Sequence, residues 1–458
     1  MIKLKNILFC LAVLSGTASF AQLPDAATIA AKMYPGWNLG NTLEGGDNKN
    51  NWTNNGGVGA ERAWQSTLTS QKIIDFVKSQ GFKSVRIPCA WVMGHVTDAD
   101  QVTVDAAWMA RVKEIVDYCV NDGLYVLLND HWDGGWLENN FNDTSEAAIT
   151  ANSAKLKLLW TQIAEAFKDY DEHLLFGGLN EPNANNQVKT KALLRYEQAF
   201  IDAVRATGGN NATRTLVVQG PETSIENSCK WLDVSTLTDP AAGRLMVEVH
   251  YYTPPQFTGV WKADNDHWLY FWGAANHVPS GSYTKYNCTW GEESYLRDQF
   301  QMMKDNFVDR GYPVILGEYG ANWRQLSNTS MQKKHDASIL LFHKTVNEEA
   351  VKRGMIPFVW DINQPNRNGE EGIMCVIDRS ACKVFDTNAM QGITNGCAAA
   401  TWGGPTSDIR QVPFDAAVPS TAQPAYNLMG QRVASGAKGL VIIGGKKYYN
   451  NPSSAWSK

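Results

Sequence analysis

Two glutamates at the ends of apolar segments are the first residues in this sequence that suggest a reaction. Glu181 follows the apolar run Leu174–Leu179 and precedes Pro182, which lacks a backbone donor and so ends a β-ladder. Glu318 ends a second run, Val314–Gly317. A single glutamate at a strand end is more often a solvated cap or an ion-pair partner. Two of them at one edge of a parallel sheet would suffice to cleave a glycosidic bond.

The other predicted strands bring donors, a cation and aromatic rings to the same edge, where parallel barrels hold their active sites. Two tryptophans, Trp132 and Trp136, lie in a loop after one of these strands and are candidates for stacking on sugar rings. Further loop tryptophans are weaker candidates for the same role. The strand-end residues are Asn41, Arg86, His131, Asn180, His250, Tyr252 and Trp360, and the further tryptophans are Trp91, Trp261, Trp268 and Trp323.

Several other chemistries lack their sequence signals. His131 and His250 lie on different predicted strands, and the first strand has no His-x-His pair of the kind that a zinc barrel uses. No GxSxG motif anchors a serine triad, and no phosphate-binding loop follows the first strand. We therefore expect no metal in the site and no cofactor, and the sequence leaves a structural Ca²⁺ in a loop open.

The elements that position these residues alternate along the chain. Eight predicted strands alternate with helices between Asp25 and Cys397, which predicts an α/β fold, a (β/α)8 TIM barrel. A doubly wound open sheet is the alternative. The predicted strands are Trp37–Thr42, Lys83–Pro88, Leu124–Asn129, the two glutamate strands, Thr215–Gln219, Leu245–His250 and Ile356–Trp360. The predicted helices are Asp25–Met33, Ser66–Gln80, Ala106–Asn121, Ala147–Tyr170, Lys189–Thr207, Glu292–Arg310 and Met331–Arg353.

Both ends of the chain differ in character from the barrel. Residues 1–21 have a basic start, an apolar centre and a small-residue cleavage pattern, so we expect a signal peptide and a protein that is secreted or held at the cell surface. Residues 22–400 form the predicted catalytic domain, and residues 401–424 are a predicted Gly/Pro/Ser/Thr-rich linker. Residues 425–458 indicate a short β-rich tail like a hairpin, which is either a sorting segment or a small packing element.

Composition restricts the partners. Apolar residues make up 44% of 458 residues, enough for a large core, and the net charge of −5 argues against nucleic acid and anionic membranes. Beyond the signal segment, no apolar run is long enough to span a membrane. Core packing accounts for most of the 17 tryptophans and 16 tyrosines, and stacking on sugar faces would also require a surplus of such rings. We expect a monomer that binds a polysaccharide.

The cysteines show no metal-binding spacing. Of eight cysteines, Cys10 leaves with the signal, so 8 − 1 = 7 remain. Disulfides are plausible in an oxidising compartment, and Cys375 and Cys382 are the nearest pair in sequence.

The ordered set of strand-end motifs resembles glycoside hydrolase family 5, over about Trp37 to Trp360. The resemblance implies a retaining (β/α)8 hydrolase without a cofactor, and it is greatest to a subfamily rich in endo-β-1,4-glucanases, including xyloglucan and mixed-linkage enzymes. The motifs that carry it are Gly36-Trp-Asn-Leu-Gly-Asn-Thr-Leu-Glu44, Val85-Arg-Ile-Pro88, His131, Asn180-Glu-Pro182, His250-Tyr-Tyr252, Gly317-Glu318 and Trp360.

By this resemblance, Glu181 is the general acid/base and Glu318 the nucleophile, with their carboxyls about 5–5.5 Å apart. We expect burial and the second carboxylate to raise the pKa of Glu181. The resemblance also places Arg86 near Glu318 and has Tyr252 hydrogen-bond to that carboxylate. A plain barrel salt bridge is the alternative for Arg86.

The remaining roles follow from the same resemblance. His250 would hold Tyr252 or touch the substrate, Asn180 would bind the sugar 2-hydroxyl, and Trp360 would stack beneath the sugar. For an isolated histidine, tyrosine or tryptophan at such positions, core packing is the alternative. Asn41 would be supporting polar scaffold, and His131 would contact the substrate.

Two departures from the family pattern leave the substrate open. Trp132 stands where many relatives have a second histidine, and Asp361-Ile-Asn363 follows Trp360 in place of the usual Asp-Asn-Gly. We expect a secreted endo-β-1,4-glucanase, or cellulase, acting on a β-linked plant cell-wall polysaccharide. Xyloglucan, mixed-linkage glucan and mannan are alternative substrates for the same mechanism. A non-catalytic polysaccharide-binding protein and a transglycosylase are the alternatives from other classes.

Overall fold

The computed structural model describes residues 22–46, 56–259, 267–365 and 372–405, and four short strands between residues 425 and 450. The chain divides into two compact units, Met1–Thr406 and Ser407–Lys458. The predicted signal peptide, residues 1–21, and the greater part of the predicted linker, residues 406–424, lie outside the described residues.

The first unit is a closed barrel. Eight parallel strands pair in the order β1-β2-β5-β6-β7-β8-β9-β10, and β10 pairs with β1 to close the sheet. The predicted (β/α)8 barrel is confirmed and the open sheet is excluded. The strands are β1 (Gly36–Asn38), β2 (Ser84–Ile87), β3 (Val96–Asp98), β4 (Thr103–Val104), β5 (Tyr125–Asn129), β6 (Leu174–Gly177), β7 (Leu216–Gln219), β8 (Leu245–Tyr251), β9 (Val314–Tyr319), β10 (Met355–Val359), β11 (Ile377–Asp378) and β12 (Lys383–Val384).

The helices lie outside the barrel, and most of them begin at a capping side chain. Asp105 accepts a hydrogen bond from the backbone of Trp108 at 2.8 Å, and Asn186 and Asn328 cap two of the longer helices in the same way. No described helix is long and apolar enough to cross a membrane. The helices are α1 (Ala26–Ala30), α2 (Gln71–Ser79), α3 (Ala106–Asn121), α4 (Glu146–Ala166), α5 (Gln187–Ala206), α6 (Ile225–Trp231), α7 (Pro255–Thr258), α8 (Glu293–Asn306), α9 (Thr329–Lys352) and α10 (Thr387–Ala399).

The barrel interior is a packed apolar core. Every residue of the eight barrel strands is buried, which explains why these segments are nearly continuous apolar runs in the sequence. Inward-facing Leu127, Leu175, Val217 and Ile315 form one cluster with residues of α1. The site residues are therefore held at the ends of strands that cannot shift without disturbing this core.

The disulfide that the sequence left plausible between Cys375 and Cys382, the nearest pair in sequence, is not formed. All seven cysteines that the structure describes are free thiols. The reason is the register of the β11–β12 hairpin, in which Ile377 lies opposite Val384. Extending that antiparallel register places Cys375 opposite Asp386, while Cys382 lies in the turn.

The C-terminal unit is a small antiparallel sheet. Its strands are β13 (Ala425–Tyr426), β14 (Arg432–Val433), β15 (Gly439–Ile443) and β16 (Lys446–Asn450), and they pair in the order β14-β13-β15-β16. The predicted β-rich tail is confirmed, with four strands where the sequence indicated a simpler hairpin.

Candidate active site

The two predicted catalytic glutamates face each other at the carboxyl-terminal end of the barrel. Glu181 lies four residues beyond the end of β6, and Glu318 is the fifth residue of β9. His250 on β8 lies opposite Glu318, where the register between these strands shifts. A carboxylate oxygen of each glutamate and a ring nitrogen of His250 all lie within 4.8 Å of one another. Shifts of strand register at barrel rims, like the one between β8 and β9, commonly re-aim side chains near active sites.

The guanidinium of Arg86, on β2, contacts several side chains of the site at once. Its Nη1 donates to Oε1 of Glu318 at 2.8 Å, and its Nη2 donates to Oδ1 of Asn180 at 2.8 Å. Its Nε lies 2.9 Å from Oε1 of Glu248, and none of its side chain is exposed. The expected contact between Arg86 and Glu318 is present, and the same guanidinium also orients the neighbour of Glu181.

The second oxygen of Glu318 accepts a hydrogen bond from the hydroxyl of Tyr252 at 3.0 Å. Burial, and then the charge of Glu318, raise the pKa of Tyr252 well above its ordinary value, so the hydroxyl keeps its proton and remains a donor. With Arg86 on one oxygen and Tyr252 on the other, the carboxylate of Glu318 is held in a fixed orientation.

His250 contacts carboxylates rather than Tyr252. Its Nδ1 lies 2.6 Å from Oε1 of Glu181 and 3.8 Å from Oε2 of Glu318, and its Nε2 lies 3.3 Å from Oε1 of Glu248. Burial alone would lower the pKa of His250, but the three carboxylates outweigh burial and raise that pKa to about 10. The ring is therefore an imidazolium at neutral pH, with an N–H for Glu181 and one for Glu248.

The expectation that the pKa of Glu181 is raised is wrong. Burial raises this pKa, but the hydrogen bond and charge of His250, together with the charge of Arg86, outweigh burial and lower it. The sequence indicated the second carboxylate and did not show that a cation would lie 2.6 Å away. The side chain of Glu181 is 41% exposed, so it also lies open to the cleft.

Glu248 is a site residue that the sequence reasoning missed. It is fully buried beneath Arg86 and His250, and its second oxygen accepts a hydrogen bond from Gln219 at 2.7 Å. A Cβ atom added at Gly317 would lie 1.9 Å from Oε1 of Glu248, so a glycine must precede Glu318. Glu248 lies two residues before His250 on one strand, and the alternation of strand side chains was the available signal.

Trp360 and His131 form a stacked pair at the rim. Their ring centroids are 5.8 Å apart and their planes are within 7°. Burial, and then the charges of Arg86 and His250, lower the pKa of His131 well below its ordinary value, so its ring is neutral. Trp132 and Trp136 follow in the same loop and are partly buried. A cavity of about 320 Å³ lies along this loop, lined by residues that include Val92, Met93, Asp133, Trp136 and Asn139.

Asn41 lies in the turn after β1 and not among the catalytic groups. Its backbone is left-handed, with φ 55°, and its N–H donates to the carboxylate of Glu44 together with the N–H of Thr42. Within the described part of the chain, no contact links the Asn41 side chain to either catalytic glutamate. The expected scaffold role fits this position.

Two of the weaker tryptophan candidates, Trp91 and Trp268, are buried in the packing of the protein. Trp91 is fully buried and donates to the carbonyl of Asn129, so it offers no face to a sugar. Trp268 is 7% exposed, with the guanidinium of Arg324 5.0 Å from the centre of its ring. Trp323 is partly buried, and Trp261 lies outside the described residues.

Two carboxylates that face each other at this end of a closed parallel barrel define a glycoside hydrolase site. The family model "Cellulase (glycosyl hydrolase family 5)" matches residues 46–366. The chain belongs to glycoside hydrolase family 5. The predicted family, fold and enzyme class are thereby confirmed, against the alternative of a non-catalytic binding protein.

Three similar proteins are glucan-degrading enzymes by name. Endoglucanase A of Paenibacillus barcinonensis is 33% identical, over 81% of this chain and 90% of its own length. A solved xyloglucan-specific β-1,4-glucanase from a ruminal metagenomic library is 51% identical, with a TM-score of 0.76, over 83% of this chain and 97% of that one. A family 5 xyloglucanase from Paenibacillus pabuli is 33% identical, with a TM-score of 0.68, over 81% and 100%.

Proposed function

We propose that this protein is a secreted, retaining endo-β-1,4-glucanase that uses Glu318 as nucleophile and Glu181 as general acid/base. The observation that carries the proposal is the separation of the two carboxylates, whose nearest oxygens lie within 4.8 Å. Retaining glycosidases need carboxyls about 5–5.5 Å apart, whereas inverting enzymes leave a wider gap for a water molecule.

In the first step, a carboxylate oxygen of Glu318 forms a bond to the anomeric carbon while the bond from that carbon to the leaving oxygen breaks. The proton of Glu181 passes to the leaving oxygen, which departs as a sugar hydroxyl. Arg86 at 2.8 Å and Tyr252 at 3.0 Å hold the two oxygens of Glu318 in a fixed orientation for this attack. In the second step, Glu181 takes a proton from water, which displaces Glu318 with overall retention.

His250 gives Glu181 a means of changing its protonation state. The hydrogen bond between His250 and Glu181, at 2.6 Å, favours an ionised Glu181 and a protonated His250. This state suits the base role of Glu181 in the second step. Transfer of the Nδ1 proton across this hydrogen bond leaves His250 neutral and Glu181 as the acid that the first step requires. The donor and the acceptor are already in contact, so this transfer needs no rearrangement of the chain.

The groups around the two glutamates fit a sugar chain. Asn180 is adjacent to Glu181 and held by Arg86, in the place for a 2-hydroxyl contact that strengthens towards the transition state. The rings of Trp360, Trp132 and Trp136 supply flat apolar surfaces along the rim, with neutral His131 beside them. The substantial exposure of Glu181 supports an open cleft that accepts the interior of a polymer.

Xyloglucan is the second candidate substrate, and the relatives favour it. The 51% identical neighbour is named as specific for xyloglucan and was solved with a xyloglucan oligosaccharide, XXLG. The Bacteroides ovatus relative, 32% identical, is named a xyloglucan-specific endo-β-1,4-glucanase. Other neighbours, at 26–30% identity, are named broad-specificity endoglucanases or a lichenase. Unbranched and mixed-linkage glucans are therefore also candidate substrates.

The test is reducing-sugar release by the wild type and the Glu318→Gln variant on xyloglucan, barley β-glucan, carboxymethyl cellulose, glucomannan, galactomannan and xylan. We expect activity on glucans that falls by about 10⁴-fold or more in the variant, because the nucleophile is lost. The ranking of polymers identifies the substrate.

Proton NMR of the first product should show the β-anomer if configuration is retained. Formation of the α-anomer would contradict the double displacement. Longer products in the presence of an added acceptor sugar would instead indicate a transglycosylase. A well-folded wild type that acts on none of the polymers would refute the proposal.

A further inference from the structure

A third carboxyl group, that of Glu138, lies beside the acid/base. Its Oε2 accepts hydrogen bonds from Nδ2 of Asn180 and from the backbone N–H of Glu181, both at 3.2 Å. Its own carbonyl accepts from the backbone of Asn183 at 2.9 Å. Glu138, in the loop after β5, thus accepts hydrogen bonds from three residues of the segment after β6. Two of these, Asn180 and Glu181, are proposed site residues.

The loop that carries Glu138 is itself anchored on its other side. The carboxylate of Asp133 accepts hydrogen bonds from the backbone of Val92 and Met93 at 2.7 and 2.6 Å. Gly135 has a φ of 78°, and a Cβ atom there would lie 2.2 Å from the Asn139 side chain, so the loop takes a tight form that only glycine allows. Glu138 is therefore presented by a braced loop.

The consequence for Asn180 is a fixed amide orientation. Its Oδ1 accepts from Arg86 at 2.8 Å, and one hydrogen of its Nδ2 points at Glu138. A primary amide has two such hydrogens, so the second is left for a ligand. Without the acceptor on Glu138, only Arg86 would orient the amide, and the donor meant for the sugar would lose its direction.

We propose that Glu138 is a positioning residue that aligns the Asn180 amide and the Glu181 backbone for the reaction. The proposal rests on the function proposed above. A neutral carboxyl suits this task, because its carbonyl oxygen accepts both hydrogen bonds without adding a third negative charge to the site.

The protonation of Glu138 provides a distinctive signature. Burial, and then the negative charge of Glu181, raise its pKa to about 8. The titratable groups that face it are Glu181, Glu318 and Asp130, with Arg86 acting through Asn180. Its ionisation changes the charge next to Glu181, so the wild-type profile of kcat/KM should show an inflection near pH 8.

The test compares Glu138→Gln, Glu138→Ala and the wild type, with Glu165→Ala on α4 as an exposed control. Glutamine retains the acceptor and cannot ionise, so we expect kcat at pH 6 within about threefold of wild type and no inflection near pH 8. Alanine should lower kcat about 100-fold, because the acid and the amide are misplaced. The control should match the wild type in both respects.

A second readout does not depend on turnover. In the Glu318→Gln background, calorimetry with cellotetraose should show about 10-fold weaker binding when Glu138→Ala is added. Wild-type activity that survives Glu138→Ala, or an inflection near pH 8 that persists in Glu138→Gln, would overturn the proposal while leaving the proposed function intact. An inactive wild type refutes the proposed function, and unchanged cellotetraose binding then overturns the role of Glu138 as well.

Discussion

At the scale of single residues, the site is a network of charges rather than a pair of carboxylates. Arg86 and protonated His250 lie between the carboxyl groups of Glu181, Glu248 and Glu318. The two cations offset the negative charge of these buried or half-buried groups, which is how the barrel tolerates so much charge at its rim. Removing either cation would leave several carboxyl groups with a single cation, so the members should be strongly coupled.

His250 gives this network a measurable pH dependence. Its pKa rises from the ordinary value of about 6.5 to about 10 on folding, so folding favours its protonated form. This stabilisation is fully present below pH 6.5 and is lost as the pH rises through about 10.

We expect the free energy of unfolding of the wild type, relative to His250→Gln, to decline across that interval. Urea denaturation at several pH values measures it. A difference between the two proteins that stays constant from pH 6 to pH 10 would contradict the protonation assigned to His250.

At the scale of elements, the important feature is how β8 and β9 fit together. Glu248 and His250 project from β8 on one face; His250 pairs with Glu318 on β9, and Gly317 of β9 lies against the Glu248 side chain. The absence of a side chain at Gly317 makes room for the Glu248 carboxylate, so the pairing of the two strands and the charge network depend on each other.

Gly317→Ala should therefore displace Glu248 and disorder the contact between Arg86 and Glu318. The added Cβ would lie 1.9 Å from an oxygen of a fully buried side chain. We expect kcat to fall about 100-fold or more, measured on the best polymer of the panel. Gly59→Ala is the matched control, because a Cβ there meets nothing within 4 Å. Equal activity of Gly317→Ala and wild type would show that the strands can adjust.

At the scale of the whole molecule, the catalytic barrel is complete without the C-terminal unit. All eight barrel strands and every proposed catalytic residue fall before residue 406, and the sheet closes on itself. The role of residues 1–21 as an export signal stays a prediction. The two alternatives for residues 425–458, a sorting segment or a small packing element, also stay predictions.

A chain that ends at residue 406 should keep the activity and melting temperature of the mature full-length protein. Thermal unfolding followed by circular dichroism, with kcat/KM on the preferred polymer, measures both. A melting temperature lower by more than about 5 °C would show that the C-terminal unit stabilises the barrel, because such a shift corresponds to roughly 4 kcal/mol for a chain of this size.

The sequence by itself determined the alternation of strands and helices and the residues at the strand ends. These follow from local causes: the predicted helix Ala106–Asn121 is the observed α3, because its periodicity, its Asp105 cap and Gly123 all lie within a few residues. The two glutamates were visible for the same reason, since each ends an apolar run.

Only the tertiary structure decided which of these residues touch. Arg86 and Glu318 are 232 residues apart in sequence, and closure of the barrel brings them to 2.8 Å. Closure of the barrel also causes the lowered pKa of Glu181 and the three carboxylate contacts of His250. The register of the β11–β12 hairpin separates Cys375 from Cys382. Glu138 lies in a loop with no periodicity, so no local pattern marked it. Charge and hydrogen bonding act through space, and the sequence shows distance only along the chain.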